Sequence, residues 1–212
     1  ALTAVSNMSH VKGAPGVAKA NEELHSVGLG VMNLHGYLAK NLIPYDSDEA
    51  KEFADVFFAA MNYYSIQASM HIARKTKTTF KDFEKSEYAK GDYFDKYTTH
   101  DHLPKSPIVK ELFEGMELPT KDDWAQLARR VQKHGLYHAY RLAIAPTQSI
   151  SYVQNATSSV MPIVDLIERR AYGDSETYYP MPFLDEMTAS VYQTAYQIDQ
   201  MKLIDLVSVI QE

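Results

Sequence analysis

The sequence predicts an α/β fold in which helices predominate. Residues 46–49 supply a cap and early acids for a long helix that continues to about Lys75. Thr120 caps a second helix, and Gly135 ends it. Two short β-like runs at 163–167 and 177–179 are separated by a Tyr-Gly-Asp-Ser turn, which predicts a hairpin.

An aromatic stripe runs along the long helix. It consists of Phe53, Phe57, Ala60, Tyr64, Gln67 and His71, with Val56 and Tyr63 beside it. Such a stripe could stack on nucleic-acid bases, but at helical spacing it is more typical of a core. We therefore expect this face to be buried.

Two further helices are predicted from caps and apolar spacing. The first begins at residues 21–23 and follows an apolar stripe to Lys40, although Gly28 and Gly30 both disfavour helix. The second begins at 185–186 and places Met187 and Met201 on its inner face.

Bulk properties exclude several classes of protein. With 212 residues and 45% hydrophobic content, the chain can bury a core as one large domain or two small ones, and no linker suggests a division. A net charge of −6 with scattered Lys and Arg argues against direct nucleic-acid binding. The absence of cysteine excludes disulfides and thiolate chemistry within these residues.

The sequence also bears on location, metals and completeness. No apolar run approaches the roughly 20 residues of a membrane span, and no secretory pattern opens the chain, so we expect a cytoplasmic protein without membrane contact. His100 and His102 flank Asp101, but this is too few ligands to predict a metal site. Helical spacing at both ends predicts a piece of a longer polypeptide.

The segment from Leu142 to Pro162 carries the clearest chemical signal. An apolar run from about His138 predicts a buried strand, and Thr147 then opens a helix. The first N–H groups of a helix lack internal partners and lie at the positive end of its dipole, so an anion such as a phosphate can bind there. Hydroxyls of Thr147, Ser149 and Ser151 would add donors, but an ordinary capped turn fits the same residues.

Five blocks of sequence resemble a known family in its own order. APTQSISYVQNATSSVMPIV from Ala145 resembles the diphosphate-binding loop of the large subunit of ribonucleotide reductase, in its class Ib form. The other blocks are GLGVMNLHGYLA from Gly28, FEKSEYAKGDYFDKY from Phe83, PTKDDWAQL from Pro119 and YYPMPFL from Tyr178. The resemblance covers most of the chain from about Val27.

The resemblance implies a fold and an activity. The fold would be a mainly helical fragment of the ten-stranded α/β barrel of ribonucleotide reductase, with residues 1–212 lacking the cysteine-bearing finger loop and the C-terminal tail. The intact subunit would reduce ribonucleoside diphosphates to 2′-deoxyribonucleoside diphosphates by a thiyl-radical mechanism under allosteric control. Without cysteine, the fragment alone is expected to be inactive.

The resemblance also implies partners. The large subunit would form a homodimer and would rely on a dimetal-radical small subunit and on a glutaredoxin-like or thioredoxin reductant. No cofactor is expected within this chain.

Site residues are carried over position by position. The residues that match the diphosphate loop are Pro146, Thr147, Gln148, Ser149 and Ile150. Many members of this family have Gly at the position of Gln148. A positive φ is less favourable for Gln148 than for Gly, so the loop conformation of the family is less favourable at this position. Asn155, Thr157 and Ser158 also match, and we expect them to be structural. No catalytic or metal-binding residue is predicted.

A second hypothesis remains open at this point. The chain could be a freestanding helical binding module with an anion pocket and no catalysis. The flanking reading frame would discriminate between the two hypotheses.

Overall fold

The computed structural model describes residues 1–9 and 12–211. The chain divides into two compact units. The first unit comprises Ala1–Leu29, Val56–Pro104 and Phe113–Ala143, and the second comprises Gly30–Asp55, Lys105–Leu112 and Ile144–Glu212.

Helices account for most of the described secondary structure. They are α1 (Leu2–Met8), α2 (Pro15–Leu24), α3 (Leu34–Lys40), α4 (Asp48–Thr76), α5 (Glu87–Lys90), α6 (Asp95–Thr98), α7 (Pro107–Leu112), α8 (Lys121–His134), α9 (Gln148–Val153), α10 (Glu186–Ala189) and α11 (Gln200–Gln211). Two 3-10 turns cover Phe83–Lys85 and Asp92–Phe94. The strands β1 (Ile167–Tyr172) and β2 (Ser175–Pro180) form an antiparallel hairpin.

The long helix α4 confirms the predicted segment and its cap. The Ala50 N–H donates to the Ser47 hydroxyl at 3.1 Å, and Asp48 and Glu49 lie in the first turn, where their charges favour the helix dipole. The predicted buried stripe was partly wrong, because Tyr64 is 42% exposed and His71 is also exposed. The face one position away is buried instead, and it consists of Val56, Ala59, Tyr63, Ile66, Met70 and Ala73.

Helix α8 contributes the centre of the core of the first unit. The Asp123 N–H donates to the Thr120 hydroxyl while the Thr120 N–H donates to the Asp123 carboxylate, so the predicted capping box is confirmed. Trp124 is fully buried and stacks on Tyr97 with ring centroids 3.9 Å apart. Gly135 ends the helix at φ +75°, as predicted.

The predicted helix from residue 21 to Lys40 is wrong in its middle. Helix α2 ends at Leu24, and the chain then extends so that Leu29 forms an isolated parallel bridge with Leu142. The strand predicted from about His138 is reduced to this bridge and neighbouring bonds such as Val27 N–H to the Tyr140 carbonyl at 3.0 Å. Glycine disfavours helix, and the extended backbone gains these bonds instead.

The second unit contains the hairpin and a buried hydrophobic cluster. Ile167 pairs with Pro180 and Tyr172 with Ser175, so the predicted hairpin and its turn are confirmed. The first strand was misplaced, because β1 begins at Ile167, where the predicted run of 163–167 ends, while β2 contains the predicted run of 177–179. The buried cluster comprises Ala39, Ile163, Met181 and Tyr192.

The predicted last helix begins where expected, because the Asp185 side chain accepts the Thr188 N–H at the start of α10. Its continuity was wrong, because α10 ends at Ala189 and α11 begins only at Gln200. Met187 is 62% exposed and Met201 is 65% exposed, so the two methionines do not form an inner face. A second isolated parallel bridge joins Ile163 to Thr194 between the two helices, where the extended backbone finds a partner.

The described residues form a helix-rich fold with one two-stranded antiparallel sheet, and they do not close a barrel. The predominance of helix is therefore confirmed. None of the helices in this part of the chain is both long and apolar enough to cross a lipid bilayer.

Candidate functional site

The corner before α9 is built by a residue in a left-handed conformation. Thr147 has φ +55° and lies immediately before the first helical residue, Gln148. A threonine in this region costs about 1 kcal/mol, because its Cβ crowds the following carbonyl. The sequence made a positive φ at Gln148 unfavourable, and in the structure the positive φ lies one residue earlier, at Thr147.

The start of α9 leaves three amides open. The first helical bond runs from the Ser151 N–H to the Thr147 carbonyl at 2.9 Å. Within the described part of the chain, the N–H groups of residues 148–150 have no protein acceptor, as expected for a helix N-terminus. Gln148, Ser149 and Ile150 are exposed, so these donors can reach a ligand.

The hydroxyls at this corner have different roles. The Thr147 hydroxyl accepts the Ser159 N–H at 2.8 Å and makes no capping bond, so it fastens the corner to a neighbouring segment. Because a hydroxyl has one proton and two lone pairs, Thr147 still has its proton to donate. The Ser149 hydroxyl has no bonded partner among the described residues, whereas Ser151 is fully buried and donates to the Gln148 carbonyl at 2.6 Å.

Hydrogen bonds join the segment from Asn155 to Ser159 to α9 and to the start of α3. Ser158 shares a hydrogen bond of 2.9 Å with the Ser151 hydroxyl. The Thr157 N–H donates to the Asn33 side chain at 2.9 Å, and the Thr157 hydroxyl accepts the Gly36 N–H at 3.2 Å. These bonds are structural contacts of the kind expected for Thr157 and Ser158.

Several residues at and next to this corner have a left-handed backbone conformation. Thr147, Asn155 and Ser159 all have positive φ, as does Asn33, whose side chain holds Thr157. Non-glycine residues in this region are uncommon and cluster at functional sites, where surrounding contacts hold them in place. Hydrogen bonds from the Ser159 N–H to the Thr147 hydroxyl and from the Thr157 N–H to the Asn33 side chain hold these residues in place.

A pocket of about 440 Å³ lies beside α9 in the second unit. Of the predicted site residues, Pro146 and Gln148 line it, while Thr147, Ser149 and Ile150 do not. Gln148 and Tyr152 are four residues apart, so they share the face of α9 that meets the pocket. The volume lies within the usual range for small-molecule sites.

The opposite wall comes from the hairpin, which the sequence reasoning missed. Glu168 and Arg170 on β1 and Tyr179 on β2 line the pocket. Two residues apart on a strand, Glu168 and Arg170 share one face, and this alternation was the available signal. Burial, and then the charge of Asp165, raises the pKa of the Glu168 carboxyl. The Arg170 guanidinium forms an ion pair with this carboxyl at 2.7 Å.

No metal centre is evident in the part of the chain that is described. Residues 1–9 and 12–211 contain no group of three or more His, Asp or Glu side chains placed to hold a metal ion.

The fold and the site define a class of protein, a helix-rich domain with a pocket of small-molecule size. Its pocket has the open N-terminus of a short helix beside it and a charged hairpin along one wall. The chain matches the family model described as "Ribonucleotide reductase, barrel domain" over residues 1–212, and it belongs to that family.

Similar proteins agree with this assignment. The chain is 52% identical to ribonucleoside-diphosphate reductase subunit alpha of Bacillus subtilis, over all of this chain and 30% of that protein. It is 39% identical to the protein of the same name from Mycoplasma pneumoniae, again over all of this chain and 30% of the relative. The relative from Treponema pallidum is 32% identical over 85% of this chain and 19% of its own length. The chain thus spans less than a third of these relatives.

Proposed function

We propose that this chain is the part of a ribonucleoside-diphosphate reductase α subunit that holds the diphosphate group of the substrate. Membership of the reductase barrel family over residues 1–212 carries this proposal. The open amides of residues 148–150 support it, because they offer a preformed set of donors to phosphate oxygens. The match of the whole chain to α subunits favours this reading over a freestanding binding module.

In this proposal the five loop residues have distinct tasks. Pro146 and the left-handed Thr147 turn the chain into α9 and set its direction. The backbone N–H groups of residues 148–150 donate to the phosphate oxygens, and the Ser149 hydroxyl adds a donor. Gln148 lies on the pocket side, where its amide can reach the ligand.

The reduction itself lies outside the chemistry of these residues. The reductase reaction uses thiols, and the 212 residues contain no cysteine, so the residues present do not fit that part of the chemistry and no step is assigned to them. The whole subunit would reduce ribonucleoside diphosphates to deoxyribonucleoside diphosphates in the cytoplasm, as a homodimer with a radical-generating small subunit and a thiol reductant of the thioredoxin or glutaredoxin type.

Calorimetric titration of the 212-residue chain with inorganic pyrophosphate tests the proposed site. We expect the Thr147→Ala, Ser149→Ala double variant to bind about tenfold more weakly, since it loses the Ser149 donor and the bond by which Thr147 holds the corner. Ser208→Ala is the matched control, because Ser208 is exposed on α11 and donates only to the Asp205 carbonyl. Equal affinity of the double variant and the unaltered chain would show that the loop does not bind the anion.

A further inference from the structure

Asn33 lies immediately before helix α3 but does not cap it. Its backbone is left-handed at φ +69°, and its side chain makes no capping bond to α3 within the described part of the chain. Asn is a common N-cap residue, because its side-chain oxygen usually accepts an N–H two or three residues further on. In this structure that oxygen accepts a different N–H, so α3 does not gain the local stabilisation.

The partner of Asn33 is Thr157, which lies 124 residues further along the chain. Asn33 Oδ1 accepts the Thr157 N–H at 2.9 Å, and the Asn33 N–H donates to the Thr157 carbonyl at 2.8 Å. The Thr157 hydroxyl accepts the N–H of Gly36, the third residue of α3, at 3.2 Å. Thr157 therefore caps α3 in place of Asn33, and two hydrogen bonds from Asn33 hold Thr157.

The two residues that follow Thr157 hold the corner before α9. The Ser158 and Ser151 hydroxyls share a hydrogen bond of 2.9 Å. The Ser159 N–H donates to the Thr147 hydroxyl at 2.8 Å. Because these residues are consecutive, a displacement of Thr157 would also move the two groups that fix α9 and its corner.

Two further features suit Asn33 to this position. Apart from Gly, Asn and Asp are the residues that most readily adopt a left-handed backbone, so the positive φ of Asn33 is tolerated. Gly36 has no Cβ, and a Cβ built there would lie 2.1 Å from Asn33 Oδ1. The small size of Gly36 therefore leaves the space that the Asn33 side chain occupies when it binds Thr157.

We infer that Asn33 is a positioning residue for the candidate phosphate site, and that it orients the amides of residues 148–150 through Thr157 and Ser159. This inference rests on the proposed function. Asn33 does not line the pocket, so it acts through these bonds and not by touching the ligand. Donors that must meet phosphate oxygens lose affinity when the hydrogen bonds that support them are removed, because small displacements weaken each contact.

Two-dimensional amide NMR spectra of the ligand-free 212-residue chain test the positioning directly. Asn33→Gly tolerates the positive φ but removes the side-chain acceptor, so the amide signals of residues 148–150 should shift or broaden. Asn33→Asp retains the acceptor and also tolerates the positive φ, so it should leave these signals close to those of the unaltered chain. Asn41→Gly is the matched control, because Asn41 lies at the other end of α3 and its side chain donates to the Tyr37 carbonyl of that helix.

Titration with inorganic pyrophosphate tests the consequence for binding. We expect Asn33→Gly to bind pyrophosphate about tenfold more weakly, and Asn41→Gly to bind it as the unaltered chain does. Gly36→Ala should weaken binding to the same extent, because the new Cβ displaces the Asn33 side chain from Thr157, and this variant provides the answer if Asn33→Gly does not fold. Asn33→Asp adds a negative charge, so its rescue is measured only on the ligand-free chain.

The outcomes separate this inference from the proposed function. Failure of the unaltered chain to bind pyrophosphate would count against the proposed function, and the role of Asn33 in that site would be refuted with it. Unchanged pyrophosphate affinity in both Asn33→Gly and Gly36→Ala would overturn the role of Asn33 alone. Unaltered signals of residues 148–150 in these two variants, or an equal disturbance in Asn33→Asp, would also overturn it, because the side-chain acceptor would then not control the corner.

Discussion

Acidification should destabilise the first unit through His138. This imidazole is buried, with 4% of its surface exposed. The Ser69 hydroxyl accepts N–H groups from Tyr137 and His138, so its single proton must point to His138 Nδ1 at 3.0 Å. Nδ1 is therefore an acceptor, and Nε2 carries the proton towards the Thr3 hydroxyl at 2.9 Å.

The magnitude follows from the pKa of this group. Burial, and then the charges of Arg141 and His25, lowers the pKa of His138 from 6.5 to about 4. Between these values the unfolded chain binds a proton that the native chain does not, so stability is complete above pH 6.5 and falls as the pH approaches 4. With a pKa of 6.5 in the unfolded chain and about 4 in the native chain, lowering the pH from about 7 to about 5 reduces the free energy of unfolding by about 2 kcal/mol.

Urea unfolding at neutral and acidic pH measures this effect. Fluorescence of Trp124 reports on the first unit, because it is the only tryptophan in the sequence and is fully buried there. His138→Gln should be less stable than the unaltered chain at pH 7 but should lose about 2 kcal/mol less on acidification. The exposed His71→Gln is the matched control for loss of an imidazole.

An NMR titration of the His138 ring provides an independent measurement. If its pKa is at or above 6.5, or if His138→Gln has the same pH dependence as the unaltered chain, the account of this buried histidine is refuted.

Two further predictions concern the ends of helices in the first unit. Thr120→Ala removes the acceptor of the Asp123 N–H and should lower the unfolding free energy by about 1 kcal/mol in urea, and an unchanged midpoint would show that the cap is not needed. Gly135→Ala should lower the free energy of unfolding by about 2 kcal/mol or more, since φ is +75° and the new Cβ would lie 2.3 Å from Thr79 Cγ2. Gly115→Ala, at φ +76° with open space around it, should cost about 1 kcal/mol, and equal losses at the two glycines would contradict the steric argument.

Local signals determined several elements of this protein. The caps at Ser47 and Thr120 and the turn between β1 and β2 were evident from the chain alone, because each depends on residues within a few positions of one another. The position of the corner before α9 was predicted in the same way. Its open amides were expected because the first N–H groups of every helix lack an acceptor within the helix.

Long-range partners decided the rest. The extended backbone around Leu29 exists because it pairs with Leu142, more than a hundred residues away, and no local pattern announces that partner. The Thr147 hydroxyl bonds the Ser159 N–H, and only this contact shows that it fastens the corner. The hairpin wall of the pocket likewise arises from folding, since the predicted strand ended at residue 167 and only the structure places Glu168 and Arg170 on one face of β1 beside the pocket. Helix caps and turns are short-range and can be read from neighbours, whereas burial and pocket walls depend on residues that only the tertiary structure brings together.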